Sequence, residues 1–147
     1  MRRSTRVGLI VLGTALFLLV SGILARWLSL ENVERSDVLS VLQAEARGDA
    51  RQMLAQLRGC HAHCQTDVKR DAATLRRTGA VQILAYHSPT AYALTSTIGE
   101  TRVAWEIAGS HQPVVQCVRV WRRGNAITGL SVRLVSVSVP IPVTADC

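Results

Sequence analysis

Residues 7–25, VGLIVLGTALFLLVSGILA, carry no charge, and the layout of the rest of the chain follows from them. Arg2, Arg3 and Arg6 precede the run and Arg26-Trp27 closes it. At 1.5 Å per residue a helix of this length spans roughly 28 Å, about the thickness of a bilayer's hydrocarbon core. The stretch therefore reads as a transmembrane signal anchor over 7–28, with a basic tail at 1–6, a juxtamembrane segment at 29–36 and a single domain at 37–147. Cationic flanks stay in the cytoplasm. Arg2, Arg3 and Arg6 stand without an acid on one side. On the other, Arg26 and Arg35 are set against Glu31, Glu34 and Asp37. The bias predicts a plasma-membrane protein with its N-terminus in the cytoplasm and its domain outside. Trp27 suits the membrane interface, where an apolar ring with one polar N–H is at home. The rival reading is a cleaved signal peptide, with Val20 and Gly22 as small residues before a cut. The run continues through Ile23-Leu24-Ala25 without an A-x-A site, which favours the anchor. Both readings export the domain.

The chain has 17 basic and 10 acidic residues, a net charge of +7. Without Arg2, Arg3 and Arg6 the balance is 14 to 10, a net charge near +4. A basic exported surface could meet anionic headgroups or acidic polymers. Nucleic acid is not expected as a partner. The basic pairs Lys69-Arg70, Arg76-Arg77 and Arg122-Arg123 lack the interleaved aromatics of a stacking platform. All four cysteines fall in the exported part. An even number in an oxidising compartment predicts two disulfides. Cys60 and Cys64 are neighbours if their segment turns like a helix, and Cys117–Cys147 would pin the last residue to a strand.

The first half of the domain has helical periodicity. Val33, Val38, Leu39, Val41, Leu42 and Ala46 share a face, with Ser36 or Asp37 as a candidate cap. Gly48-Asp49 ends that helix and starts the next, which carries Ala50, Met53, Leu54 and Leu57. A third helix is predicted from about Cys64 to Arg77, with Val68, Ala72 and Leu75 inward, Asp67, Lys69, Arg70, Asp71, Arg76 and Arg77 mostly outward, and Gly79 as its cap. The second half changes period. Strands are predicted over 81–86, 91–98, 101–108, 114–123 and 127–139, with turns at Gly99-Glu100 and Gly124-Asn125. In the last strand the apolar phase slips from Leu130, Val132 and Leu134 to Val135, Val137 and Val139, as at a β-bulge. Pro140 and Pro142 end the sheet. Helices followed by four or five hairpin-linked strands predict an α+β fold, with the helices covering one face of a curved antiparallel sheet and burying Trp105, Val118, Leu130 and Leu134.

The order around Asp37-Val38-Leu39, Arg47-Gly48-Asp49-Ala50 and Met53-Leu54 resembles the opening of the NTF2-like (cystatin-like) fold, where one helix breaks at a Gly-Asp and a second begins. The resemblance covers about 37–139. With a span in front, the chain is similar to small membrane-anchored NTF2-like proteins of actinobacterial cell envelopes. That implies a scaffold or assembly role, with a protein partner or a second copy.

Cys60-His61-Ala62-His63-Cys64 invites a metal or redox reading, but five consecutive residues can hardly wrap one ion tetrahedrally. A structural disulfide is the favoured reading, with His61 and His63 solvated. Tyr86, His87, Glu106 and His111 are the groups an enzymatic pocket could use. Glu106 should point away from the face of Trp105 and Ile107, and no spacing puts an acid against a base. No catalytic residue, cofactor or metal is therefore expected. Arg102, Arg119, Arg122, Arg123 and Arg133 are expected on one outer sheet face. Val135, Val137 and Val139 would form an apolar contact strip if they lie opposite the helices. The expected function is a non-enzymatic interaction module, with a lipid or small-molecule pocket between helices and sheet as the alternative.

Overall fold

The computed structural model describes residues 2–90, 95–125 and 129–147, with backbone alone for 2–6, 26–30, 125, 129 and 130. The side chains of Arg2, Arg3, Arg6, Trp27 and Leu130, and the predicted strand positions 91–94, 127 and 128, lie outside the described residues.

Three helices precede one antiparallel sheet. They are α1 (Arg2–Arg47), α2 (Ala50–Gln56) and α3 (Ala62–Thr74). The strands β1 (Val81–His87), β2 (Thr95–Ile107), β3 (Val114–Asn125) and β4 (Gly129–Val137) are hydrogen-bonded in sequence order. The α+β class follows the change of period in the sequence. The apolar stretch Val7–Ala25 lies within α1, is long enough to cross a membrane and is not buried against the rest of the chain.

The first departure from expectation is in α1. No new helix starts at Ser36 or Asp37, because the apolar stretch and the first domain helix are one continuous helix of 46 residues. Residues 29–36 contain neither glycine nor proline, so nothing in them interrupts helical hydrogen bonding. One stripe of its later half faces the sheet: Glu34, Val38, Val41, Leu42, Glu45 and Ala46 are buried. Their spacing of three and four residues is the helical repeat. Val33 is exposed instead of sharing that stripe. The helix ends at Gly48 (φ +77°), where the Asp49 N–H reaches the Ala44 carbonyl at 2.9 Å. Asp49 then caps α2 by accepting from the Gln52 N–H at 2.9 Å.

Helix α3 ends at Thr74, capped at Leu75, so Gly79 is not its cap. Gly79 (φ +132°) instead lies against Ile107, whose Cγ2 a Cβ would meet at 2.4 Å. Val68, Ala72 and Leu75 are buried as expected; Asp71 is buried too, rather than outward.

Gly99-Glu100 is not a turn. Both lie inside β2, so two predicted strands are one, and the described residues contain four strands. A Cβ on Gly99 would sit 2.4 Å from Thr90 Cγ2, so the glycine serves a close approach of the β1–β2 connection. The β-bulge is found where the apolar phase slips. Arg119 pairs with Ser136 and Val120 with Leu134, leaving Val135 as the extra residue. The bulge returns Val137 to the inner face, where it joins the core beside Leu134. Val135, Val137 and Val139 therefore form no outer strip.

Trp105, Leu42, Met53, Val103, Val118, Val120 and Leu134 fill the space between helices and sheet. Each fully buried aliphatic of this kind stabilises the fold by roughly 1.5–3 kcal/mol. Residues 138–141 continue alongside β3, and 143–147 cross its outer face to Arg102 and Cys117. Ser138 N–H donates to Cys117 O and Ile141 N–H to Val115 O, both at 2.8 Å. Arg102 Nε donates to Ala145 O at 3.0 Å and Arg102 Nη2 to Val143 O. Cys117 and Cys147 are joined (Cα–Cα 5.7 Å), as are Cys60 and Cys64 (5.2 Å). The longer link closes a loop with a sequence separation of 30. By chain entropy such a loop is worth about 3–4 kcal/mol. Replacing Cys117 and Cys147 together by alanine is expected to lower unfolding free energy by about that amount and to make 138–147 cleavable by protease. A loss in denaturant titration below about 1 kcal/mol would show that the hydrogen bonds alone hold the segment.

Candidate functional site

Two buried polar clusters line the seam between α1 and the sheet. Neither was anticipated from the sequence. In the first, Glu34 enters from α1 and Arg122 from the inner face of β3, both fully buried. Arg122 Nε and Nη2 donate to Glu34 Oε2 at 2.9 and 2.5 Å. Tyr86 Oη and Thr101 Oγ1 donate to Glu34 Oε1 at 2.6 and 3.0 Å. Thr90 Oγ1 adds a longer bond to Oε2 at 3.4 Å. Burial by itself would push this carboxyl up, but the hydrogen bonds from Tyr86 and Arg122 and the Arg122 charge outweigh it and hold Glu34 below its usual value. The Tyr86 hydroxyl is held well above its usual range, first by burial and then by Glu34. A carboxylate that accepts from so many donors is a tie between elements, with little lone-pair capacity left for acid–base work.

The second cluster lies about three helical turns further along α1. Trp105 Nε1 donates to Gln116 Oε1 at 2.7 Å, and Gln116 Nε2 donates to Glu45 Oε1 at 2.8 Å and to the Ser138 carbonyl at 3.1 Å. Glu45 Oε2 is buried with no partner among the described residues. Burial pushes Glu45 up to about 7, against the pull of the Gln116 hydrogen bond and with a further push from the Asp71 charge. Burial raises Asp71 as well, partly offset by Arg70.

Arg122 is thus inside, a correction to the expected outer patch of five arginines. The others do face outward or lie at the surface. Arg119 pairs with Glu100 at 2.5 Å, Arg123 lies 5.7 Å from the Trp121 ring centroid, and Arg102 holds the 138–147 segment. The suggested enzymatic groups are not brought together. Tyr86 belongs to the Glu34 cluster, His87 is exposed at the end of β1, His111 is exposed in a loop at φ +46°, and Glu106 points away from Trp105 as expected. In Cys60–Cys64 both thiols are consumed. His61 and His63 are exposed, and His63 lies on the first turn of α3 with Nδ1 3.0 Å from Asp67. Among the described residues no group of three or more His, Cys, Asp or Glu is placed to hold a metal ion.

A groove of about 520 Å³ opens between α1, the end of α2 and the edge of β4, lined by Asp37, Gln56, Arg58, Val132, Arg133 and Leu134.

Together these features define a small disulfide-braced α+β domain built on the continuation of an apolar helix. Compared with known proteins, the chain matches no family model, no curated protein and no solved structure.

Proposed function

We propose that this chain is a single-pass plasma-membrane protein whose N-terminus is cytoplasmic and whose exported domain is a non-enzymatic interaction or assembly module. The carrying observation is the unbroken α1: one helix holds both the apolar stretch and the stripe on which the domain core is built. A domain joined to its span without a loop is held at a set height and angle above the bilayer, which suits assembly with neighbours more than diffusive capture of a substrate. The disulfides support an oxidising compartment. The space an internal pocket would need is occupied by Trp105, Leu42, Met53 and Gln116, which weighs against the pocket alternative. The order of helices and antiparallel strands supports an NTF2-like assignment of the actinobacterial envelope type.

Topology is testable in native membranes. The full chain is expected to resist carbonate extraction. Its domain should be digested by protease added outside intact cells, and its cysteines should be unreactive to maleimide until reduced. Release by carbonate would show cleavage after the apolar stretch; protection from outside protease with free thiols would reverse the orientation.

A further inference from the structure

The groove beside β4 combines a sheet edge, met at Leu134 by the Leu57–Arg58 backbone and left uncovered at Val132, with two arginines that have no ion-pair partner among the described residues. The Leu134 carbonyl turns away from β3 and accepts from the Arg58 N–H at 2.7 Å. Backbone groups alternate sides along a strand, so the N–H and C=O of Val132, two residues earlier, also turn outward into the groove. β4 is the last strand of the sheet, and among the described residues no backbone group meets Val132 on that side. Arg58 and Arg133 are exposed at the same groove, and neither side chain makes a hydrogen bond or ion pair with a described residue. Among the described residues of the lining, Asp37 on the α1 wall is the one acid, against two guanidinium groups.

We infer that this groove receives an extended acidic segment of a partner polypeptide, added alongside β4. It would hydrogen-bond to Val132 through its main chain and place carboxylates on Arg58 and Arg133. The inference rests on the interaction-module reading and names its site and partner chemistry. Main-chain pairing at a sheet edge supplies affinity, and side chains at alternate positions supply selectivity. Guanidinium groups bind carboxylates through paired, charge-assisted hydrogen bonds. The same arginines repel the β4 edge of a second copy, so the edge is guarded against its own kind and open to an acidic strand.

The test uses the full chain in lipid nanodiscs and a fluorescein-labelled alternating valine–glutamate heptapeptide, read by anisotropy. The peptide is expected to bind, and its valine–lysine counterpart to bind at least about tenfold more weakly. Arg58→Glu with Arg133→Glu should weaken the glutamate peptide at least about tenfold while leaving the melting temperature unchanged, since both residues are exposed. N-methylation of alternate peptide nitrogens should weaken binding by a similar factor, because it removes the strand's donors. Equal binding of the glutamate and lysine peptides, or no effect of the arginine reversals, would overturn the inference. So would displacement by inorganic phosphate with no effect of N-methylation, which would leave a simple anion site. Photo-cross-linkers at Gln56 in the groove and at Arg123 on the far side of the sheet separate this from the broader reading. Adducts from Arg123 alone would remove the groove and keep the interaction module; adducts from neither would remove both.

Discussion

Replacing Glu34 by alanine is expected to cost about 3–5 kcal/mol of unfolding free energy, enough to unfold much of a domain of this size. The cost comes from what is left behind. Arg122 is fully buried, and removing Glu34 takes away the carboxylate it bonds through Nε and Nη2, while Tyr86 and Thr101 lose their acceptor. Arg122→Ala should be comparably damaging, because it strands the carboxylate. Glu34→Leu with Arg122→Met should recover most of the loss, since a buried ion pair replaced by well-packed apolar groups is often neutral. Denaturant titration of the wild type and these three variants sets the costs side by side. A single-variant cost below about 1 kcal/mol would mean that water reaches the pair and screens it. The pH dependence has a definite sign. Glu34 lies below its usual value of 4.5 in the folded chain, so its contribution is present above pH 4.5 and is lost as pH falls through the folded value.

Glu45 works the other way, and Glu45→Gln is expected to stabilise the domain at pH 8. Its folded value of about 7 lies above the ordinary 4.5. The contribution is therefore fully present below pH 4.5 and falls away as pH rises to 7, a total of about 3 kcal/mol. Above pH 7 the wild-type domain carries a buried charge with one oxygen unpartnered and Asp71 nearby. Glutamine is neutral throughout and keeps an oxygen for the Gln116 amide. The variant should gain about 2–3 kcal/mol at pH 8, change little at pH 5, and flatten the stability profile between them. Some slope should remain from Asp71, which burial also raises. A variant less stable than wild type at pH 8, or an unaltered slope, would show that Glu45 is solvated in solution.

The fold class was legible because period is a local property. Val68, Ala72 and Leu75 on α3, and Val103, Trp105 and Ile107 on β2, declared their faces by spacing alone. The Val135 bulge was visible as a phase slip. What misled was treating polarity as exposure. Glu34 and Glu45 sit in register with Val38, Val41 and Leu42, and Arg122 in register with Gln116, Val118 and Val120. An acid on an inward helix stripe and an arginine on an inward strand face were both in the sequence, but only tertiary packing sets one against the other. Gly99 misled differently: glycine marks a close approach as readily as a turn, and the Thr90 contact that requires it is non-local. The groove was invisible for the same reason, since Asp37, Arg58 and Arg133 come from a helix, a connection and a strand far apart in the chain.

The apolar stretch and the domain's first helix are one helix, and amide hydrogen exchange across 26–36 of the full chain in lipid nanodiscs reads whether that continuity holds in a bilayer. A continuous α1 locked by Glu34 and Arg122 predicts protection throughout that stretch, comparable with the buried part of the helix beyond it. Exchange within seconds at 29–36, flanked by protected amides on both sides, would show a flexible hinge and contradict a domain held at fixed height above the membrane.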